Sequence, residues 1–286
     1  MRYEAPDSLE KASELLAAAN GSGKILAGGT DLLVQLRGDF IEPEVIVDIK
    51  HIAELRTVTA DSDGFTIGAA VSGAELGDNA ELKAMWPGVV EAVELIGSTQ
   101  IQGRASLGGN LCNASPAADS VPAMIAARAT AIVAGPSGRR EVPVQDIAVA
   151  PGRTSLGAGE ILVAIRLAKR PPHASDAYLR FIPRTEMDIA VVGSGISLTL
   201  DENGVCRDAI VSLGAVAEIA LLVPEAAAAL IGTKLEDDAL QAAAAAASAA
   251  CRPIDDKRGT IEFRTRVAGV LTTRATGIAH RRALER

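Results

Sequence analysis

Two glycine-rich segments carry the residue types most able to do chemistry here. One is Lys24-Ile25-Leu26-Ala27-Gly28-Gly29-Thr30-Asp31-Leu32. The other runs from Ser106 through Gly108, Gly109, Asn110, Cys112 and Asn113 to Asp119. Adjacent glycines let a backbone approach a ligand closely and turn its N–H groups toward an anion. Thr30, Asp31, Ser106, Asn110 and Asn113 add side chains that can hydrogen-bond a ligand. Two such turns, roughly eighty residues apart, suggest a long polyanionic ligand held from two sides. The rigid Ser115-Pro116-Ala117-Ala118 stretch ends in Asp119, a carboxylate able to accept hydrogen bonds from a ribose diol.

Other chemistries find no support. The three histidines, His51, His173 and His280, are scattered and have no obvious carboxylate partners in sequence. They read as loop or surface residues, and no nucleophile–base set emerges. Cys112, Cys206 and Cys251 fit no zinc spacing. Three thiolates also cannot hold a four-cysteine iron–sulfur cluster, so any cluster must sit on another chain. A GxGxxG pattern is absent: Gly21-Ser22-Gly23 and Gly193-Ser194-Gly195 lack the third glycine. Gly23-Lys24 is followed by Ile25, where a phosphate-binding loop needs Ser or Thr.

The bulk composition agrees. The 286 residues suffice for two domains. Net charge is −8, and only 2% of residues are aromatic, which disfavours nucleic-acid binding by phosphate contact or base stacking. The final Arg281, Arg282 and Arg286 read as decoration of a helix end. Sparse cysteine use and a start without an apolar core point to the cytoplasm. No stretch reads as membrane-spanning.

Elements can be placed around these segments. Asp7 and Glu10 have capping-box spacing ahead of a first helix. Lys24–Ala27 is a short strand entering the first turn, and Asp31–Arg37 a helix leaving it. Val45–Ile49 is a buried strand, and Asp61–Gly64 turns a hairpin. Ser72 caps a short helix, Pro87–Ile96 is another, and Ser120–Ala127 a third. Strand-like pieces fill 131–167. Lys169–His173 reads as a stiff polar linker. Three strands follow, at Tyr178–Phe181, Ile189–Leu200 and Val205–Ala215. Helices then cover Pro224–Leu230, Asp237–Cys251 and Thr260–Arg281. Strands followed by helices indicate an α+β fold.

At these residues the chain resembles the FAD-binding medium subunits of the molybdenum hydroxylases, the family of carbon monoxide dehydrogenase and xanthine dehydrogenase. The resemblance rests on Ala27–Asp31, Ser106–Asn110, Ser115–Asp119, Tyr178–Phe181, Arg184–Ala190, Pro253–Gly259 and Phe263-Arg264. It implies an α+β fold: a vanillyl-alcohol-oxidase/PCMH-type FAD-binding domain over 1–170, with subdomains about 1–55 and 56–170. A carbon monoxide dehydrogenase flavoprotein C-terminal domain would span 174–286. Carried over by position, the backbone of Leu26–Asp31 and Leu32 would cradle the pyrophosphate, with Lys24 and Ile25 at its start. Ser106, Gly108, Gly109, Asn110, Cys112 and Asn113 would line the other side, and Asp119 would bind the ribose. Ile96 and Ile189 would approach the isoalloxazine, with Leu162 and Arg180 in the same cavity. Some relatives have Lys where Arg180 stands, and Arg adds a planar donor set.

Thr30 stands where related oxidases carry a flavin-linked His, so the FAD would be non-covalent. Partners would be a large molybdopterin-binding subunit and a small [2Fe–2S] subunit, in a dimer of heterotrimers. Electrons would pass from the clusters to FAD and on to NAD, a quinone or O2. The complex could attach at the inner membrane face without a transmembrane segment. The rival readings are a self-sufficient non-covalent FAD oxidase and a flavin-free scaffold subunit.

Overall fold

The computed structural model describes residues 1–286. The chain opens with alternating elements: β1 (Arg2–Glu4), α1 (Leu9–Ala18), β2 (Gly23–Leu26), α2 (Leu32–Arg37) and β3 (Val45–Asp48). A hairpin follows, β4 (Val58–Asp61) and β5 (Gly64–Gly68). Six short helices come next: α3 (Gly73–Gly77), α4 (Ala80–Met85), α5 (Pro87–Glu94), α6 (Thr99–Gln102), α7 (Leu107–Cys112) and α8 (Ser120–Ala126). Then come β6 (Thr130–Gly135), β7 (Gly138–Pro143), a small ribbon of β8 (Ala148–Ala150) and β9 (Arg153–Thr154), and β10 (Ile161–Ala168). The last third holds β11 (Ala174–Phe181), β12 (Val192–Leu200), β13 (Cys206–Gly214), β14 (Leu221–Leu222), α9 (Pro224–Leu230), α10 (Asp237–Ala250) and α11 (Ile261–Leu284).

Three main sheets result. The first is parallel, in the order β1-β3-β2, and the second antiparallel, β4-β5-β10-β6-β7. The third is the antiparallel β11-β12-β13-β14. β10 explains its own sequence. Its run Ile161–Ile165 is buried throughout because the strand serves two cores. Leu162 and Ile165 pack with α5, α7 and α8, while Ile161, Val163 and Ala164 pack with α1 and β3. Burial on both faces removes the alternation expected of a half-exposed strand.

Several local expectations change. Ser8, not Asp7, caps α1, its hydroxyl accepting from the Lys11 N–H. The second glycine segment is not a turn but the helix α7, capped by the Ser106 hydroxyl through the Gly109 N–H. Lys169–His173 is not merely polar linker. Arg170 is buried, its guanidinium 3.7 Å from the Trp86 ring centroid, and Trp86 Nε1 donates to Ala168 O. The terminal arginines do more than decorate a helix end. Arg282 pairs with Glu91 and donates to Asp176 O, and Arg286 donates to Ala84 O and Met85 O. Sequence alone could not find these partners, which lie 106 to 202 residues away in the chain.

The C-terminal sheet meets the preceding part along a seam floored by glycine. α8 lies directly on β12 and β13. A Cβ on Gly195 would sit 2.6 Å from Pro122 O, and one on Gly214 would sit 2.7 Å from the Pro122 ring. α5 does the same at Gly88, where a Cβ would be 2.7 Å from an Asp176 oxygen. There the buried Asp176 carboxylate accepts from the Val89 N–H. Gly195→Ala should therefore lower stability by about 1–3 kcal/mol through overpacking. Gly157→Ala, whose nearest neighbour would be 3.5 Å away, should change it little. Urea midpoints of the two variants check this.

Candidate functional site

The fold brings the two glycine segments together. A Cβ on Gly28 would fall 1.8 Å from Arg104 O, just ahead of α7. Only glycine permits that approach. Gly29 has φ +77°, a conformation open to glycine at little cost. Gln35, on α2, donates to the Asn113 side chain at 3.5 Å. Gly108 is packed against the Ala69 backbone, whereas Gly109 is exposed and its missing Cβ meets only Ser106 Oγ. The two glycines of the second pair thus do different jobs. One allows helix packing, and the other leaves an open surface beside the first loop.

That first loop has an unusual hydrogen-bond account. None of the backbone N–H groups of Ala27, Gly28, Gly29, Thr30 and Asp31 donates to a backbone acceptor. The Asp31 side chain, at the start of α2, makes no capping bond. A run of backbone N–H donors without protein acceptors, half-buried from Ala27 to Thr30, is the arrangement that binds an anion. Lys24 is exposed at the strand entering the loop, and Ile25 and Leu32 are half-buried beside it.

Other expected ligands have structural tasks. Asn110 Oδ1 accepts from the N–H and the hydroxyl of Ser120, so it caps α8. Ser106, 2% exposed, spends its acceptor on the α7 cap. The surroundings of Cys112 push its thiol up to about 12, so it remains a neutral thiol. Leu162 is 3% exposed and packs in the core.

Asp119 is held from the other side of the seam. Its two oxygens are engaged by the C-terminal sheet: Tyr178 Oη donates at 3.0 Å and Arg180 at 2.6 Å. Burial lifts its carboxyl to about 6, against the pull of Arg180 and Tyr178. Arg180 is buried, and its Nε finds no acceptor in the chain. Ile96 is half-buried and Ile189 exposed, and their loops meet where the Met187 N–H donates to Gly97 O. Arg258 and Arg184 both pair with Asp188, and Arg264 donates to Val191 O. The segments 184–190, 253–259 and 263–264, scattered in sequence, thus form one brace. No group of three or more His, Cys, Asp or Glu is placed to hold a metal. No helix is long and apolar enough to cross a membrane.

A glycine cradle, a row of unpaired backbone donors and an orphaned arginine N–H fit a phosphate-bearing cofactor, and the fold is that of an FAD-binding oxidoreductase subunit. Residues 1–169 match the FAD binding domain in molybdopterin dehydrogenase, and residues 177–279 match the CO dehydrogenase flavoprotein C-terminal domain. The chain belongs to the family of FAD-binding medium subunits of the molybdenum hydroxylases. It is 32% identical to the carbon monoxide dehydrogenase medium chain of Hydrogenophaga pseudoflava, over 97% of this chain and 96% of that one. It is 31% identical to the xanthine dehydrogenase FAD-binding subunit of Escherichia coli O157:H7, over 94% and 92%. The solved carbon monoxide dehydrogenase from H. pseudoflava superimposes with TM-score 0.95 and 33% identity, covering 99% of this chain and 98% of the other. Quinoline 2-oxidoreductase from Pseudomonas putida 86 gives 0.91 and 26%, with the same coverage. The cofactor of this chain is FAD. In this family the molybdenum cofactor and iron–sulfur clusters belong to partner subunits.

The Asp119 carboxyl titrates at about 6 in the fold, against about 3.9 when unfolded. The folded chain therefore holds the extra proton between those values. Stability from this group is greatest at the acid end of the window and falls as pH rises through it, by up to about 3 kcal/mol. Urea midpoints measured across that window should fall less steeply for Asp119→Asn than for the parent.

Proposed function

We propose that this chain is the electron-transfer subunit of a heterotrimeric molybdenum hydroxylase, passing electrons from [2Fe–2S] clusters on a small partner to an external acceptor: NAD, a quinone or O2. The substrate would be oxidised at the molybdenum cofactor of a large partner, with two heterotrimers pairing. The similarity to carbon monoxide dehydrogenase medium chains makes that complex a guide to the assembly. The division into a flavin-binding domain over 1–170 and a C-terminal domain over 174–286 is part of the same proposal.

The observation that carries the reading is the row of unpaired N–H groups from Ala27 to Asp31, in a loop whose Gly28 packs against Arg104 just ahead of the second glycine segment. The residues would share the work as follows. Backbone from Leu26 to Leu32, entered through Lys24 and Ile25, would hold the pyrophosphate. The exposed Gly109 face, with Ser106, Gly108, Asn110, Cys112 and Asn113 behind it, would form the opposite wall. The orphaned Arg180 N–H would meet an acceptor on the cofactor beside Asp119. Ile96 and Ile189 would shield the ring, and Leu162 would contribute through its backbone.

When bound, FAD supplies the redox chemistry itself. The chain's own task is to bind, orient and shield it. Each hydrogen bond to a phosphate contributes about 1.5–3 kcal/mol, so several suffice without a covalent link. Thr30 offers no imidazole for one.

Purified protein supplied with FAD should show flavin absorbance in the visible range, and acid precipitation should release all of it. Gly28→Ala should lose most of that absorbance, because the new methyl group drives the two segments apart. A parent protein that stays colourless with FAD would overturn the reading. Bleaching by small substrates without partner subunits would point to a self-sufficient oxidase instead.

A further inference from the structure

Asp119 joins two parts of the molecule that sequence keeps separate. It directly precedes α8, which Asn110 of the second glycine segment caps through Ser120. Its carboxylate leaves that segment and enters the C-terminal sheet, where Tyr178 and Arg180 of β11 bind one oxygen each. A continuous bonded path thus runs from the glycine segment through Asn110, Ser120 and Asp119 to β11.

The sheet is shaped to keep the Tyr178 hydroxyl in place. Tyr178 is 2% exposed. Gly193, on the neighbouring strand β12, leaves the space the hydroxyl needs: a Cβ there would lie 2.5 Å from Tyr178 Oη. Arg180 is paired with Gly193 across the ladder and approaches Asp119 from the same strand as Tyr178. Its NH1 is used by Asp119, and its Nε is buried and unpartnered. A buried donor without an acceptor is costly, and a bound acceptor beside Asp119 would remove that cost.

We propose that Tyr178 is a positioning residue of the flavin site: its hydroxyl fixes the Asp119 carboxylate, which in turn fixes Arg180 with its free N–H edge toward the cofactor. Flavin retention then depends on the seating of the C-terminal sheet against α8, and not on the two glycine segments alone. The inference rests on the FAD-binding reading given above.

The test uses the full chain and FAD as the probe. Dissociation constants from quenching of flavin fluorescence are compared for the parent, Tyr178→Phe, Asp119→Asn and the double variant, with thermal midpoints alongside. Tyr178→Phe keeps the ring and its packing. It should weaken FAD binding roughly ten-fold, the size of one hydrogen bond to a charged group. Added to Asp119→Asn, it should have little further effect, because the two residues act as one unit. Equal affinity for the parent and Tyr178→Phe would overturn the proposal. So would full additivity of the two changes, which would mark Tyr178 as packing only. If Tyr178→Phe does not fold, Gly193→Ala displaces the hydroxyl while the tyrosine stays. The same ten-fold loss is expected there, and unchanged affinity overturns the proposal. A parent that binds no FAD would instead sink the functional reading.

Discussion

The close approach of α8 to the C-terminal sheet is the constraint on which the rest depends. Helix backbone touches strand backbone at Gly195, and the Pro122 ring sits over Gly214. Contact this close leaves no room for side chains, so the helix can occupy only one position. That position fixes Asp119 at the start of α8 and Asn110, which caps it. Through α7 it also fixes the wall facing the first glycine loop. A flavin site made of two loops from distant parts of a chain needs such a rigid reference to keep both within reach of one ligand.

Charge reinforces the seam in a way packing alone would not. Asp119–Arg180, Asp176–Arg170 and Glu91–Arg282 all bridge it. The first two pairs are nearly fully buried. Taking charges out of water costs several kcal/mol each, so such pairs add little net stability, while losing one partner is severe. Their effect is to select one docking geometry, since any other leaves a buried charge alone. Burial and the nearby Arg286 and Arg282 pull Arg170 down to about 10, despite Asp176.

Much of the architecture was legible in the sequence, for identifiable reasons. Helices with strong local signals came out where expected. Ser72 caps α3 with a full capping box, and Pro224 opens α9. The strand entering Gly28-Gly29 and the helix leaving it lie where the residues place them. Errors fell where a local motif was ambiguous. Ser106-Leu107-Gly108-Gly109 reads as a turn because glycine disfavours helix, yet the Ser106 cap and packing against Ala69 fold it as one. Asp7 and Ser8 are both good caps, and sequence had no way to rank them.

The candidate site divided along the same line. The sequence by itself determined which residues are available: paired glycines, small polar side chains, no acid–base set, and a family pattern that implies FAD. These are properties of residue type and spacing, which the chain carries whether folded or not. Tertiary structure decided what each residue does. It turned Asn110 into a cap, Leu162 into core and Asp119 into the anchor of Tyr178 and Arg180. Those roles depend on partners distant in the chain, 61 residues away for Asp119 and Arg180, and on burial that exists only once the sheets have closed on α8. Only the folded chain sets which groups lose water together, and that loss determines which hydrogen bonds must be made.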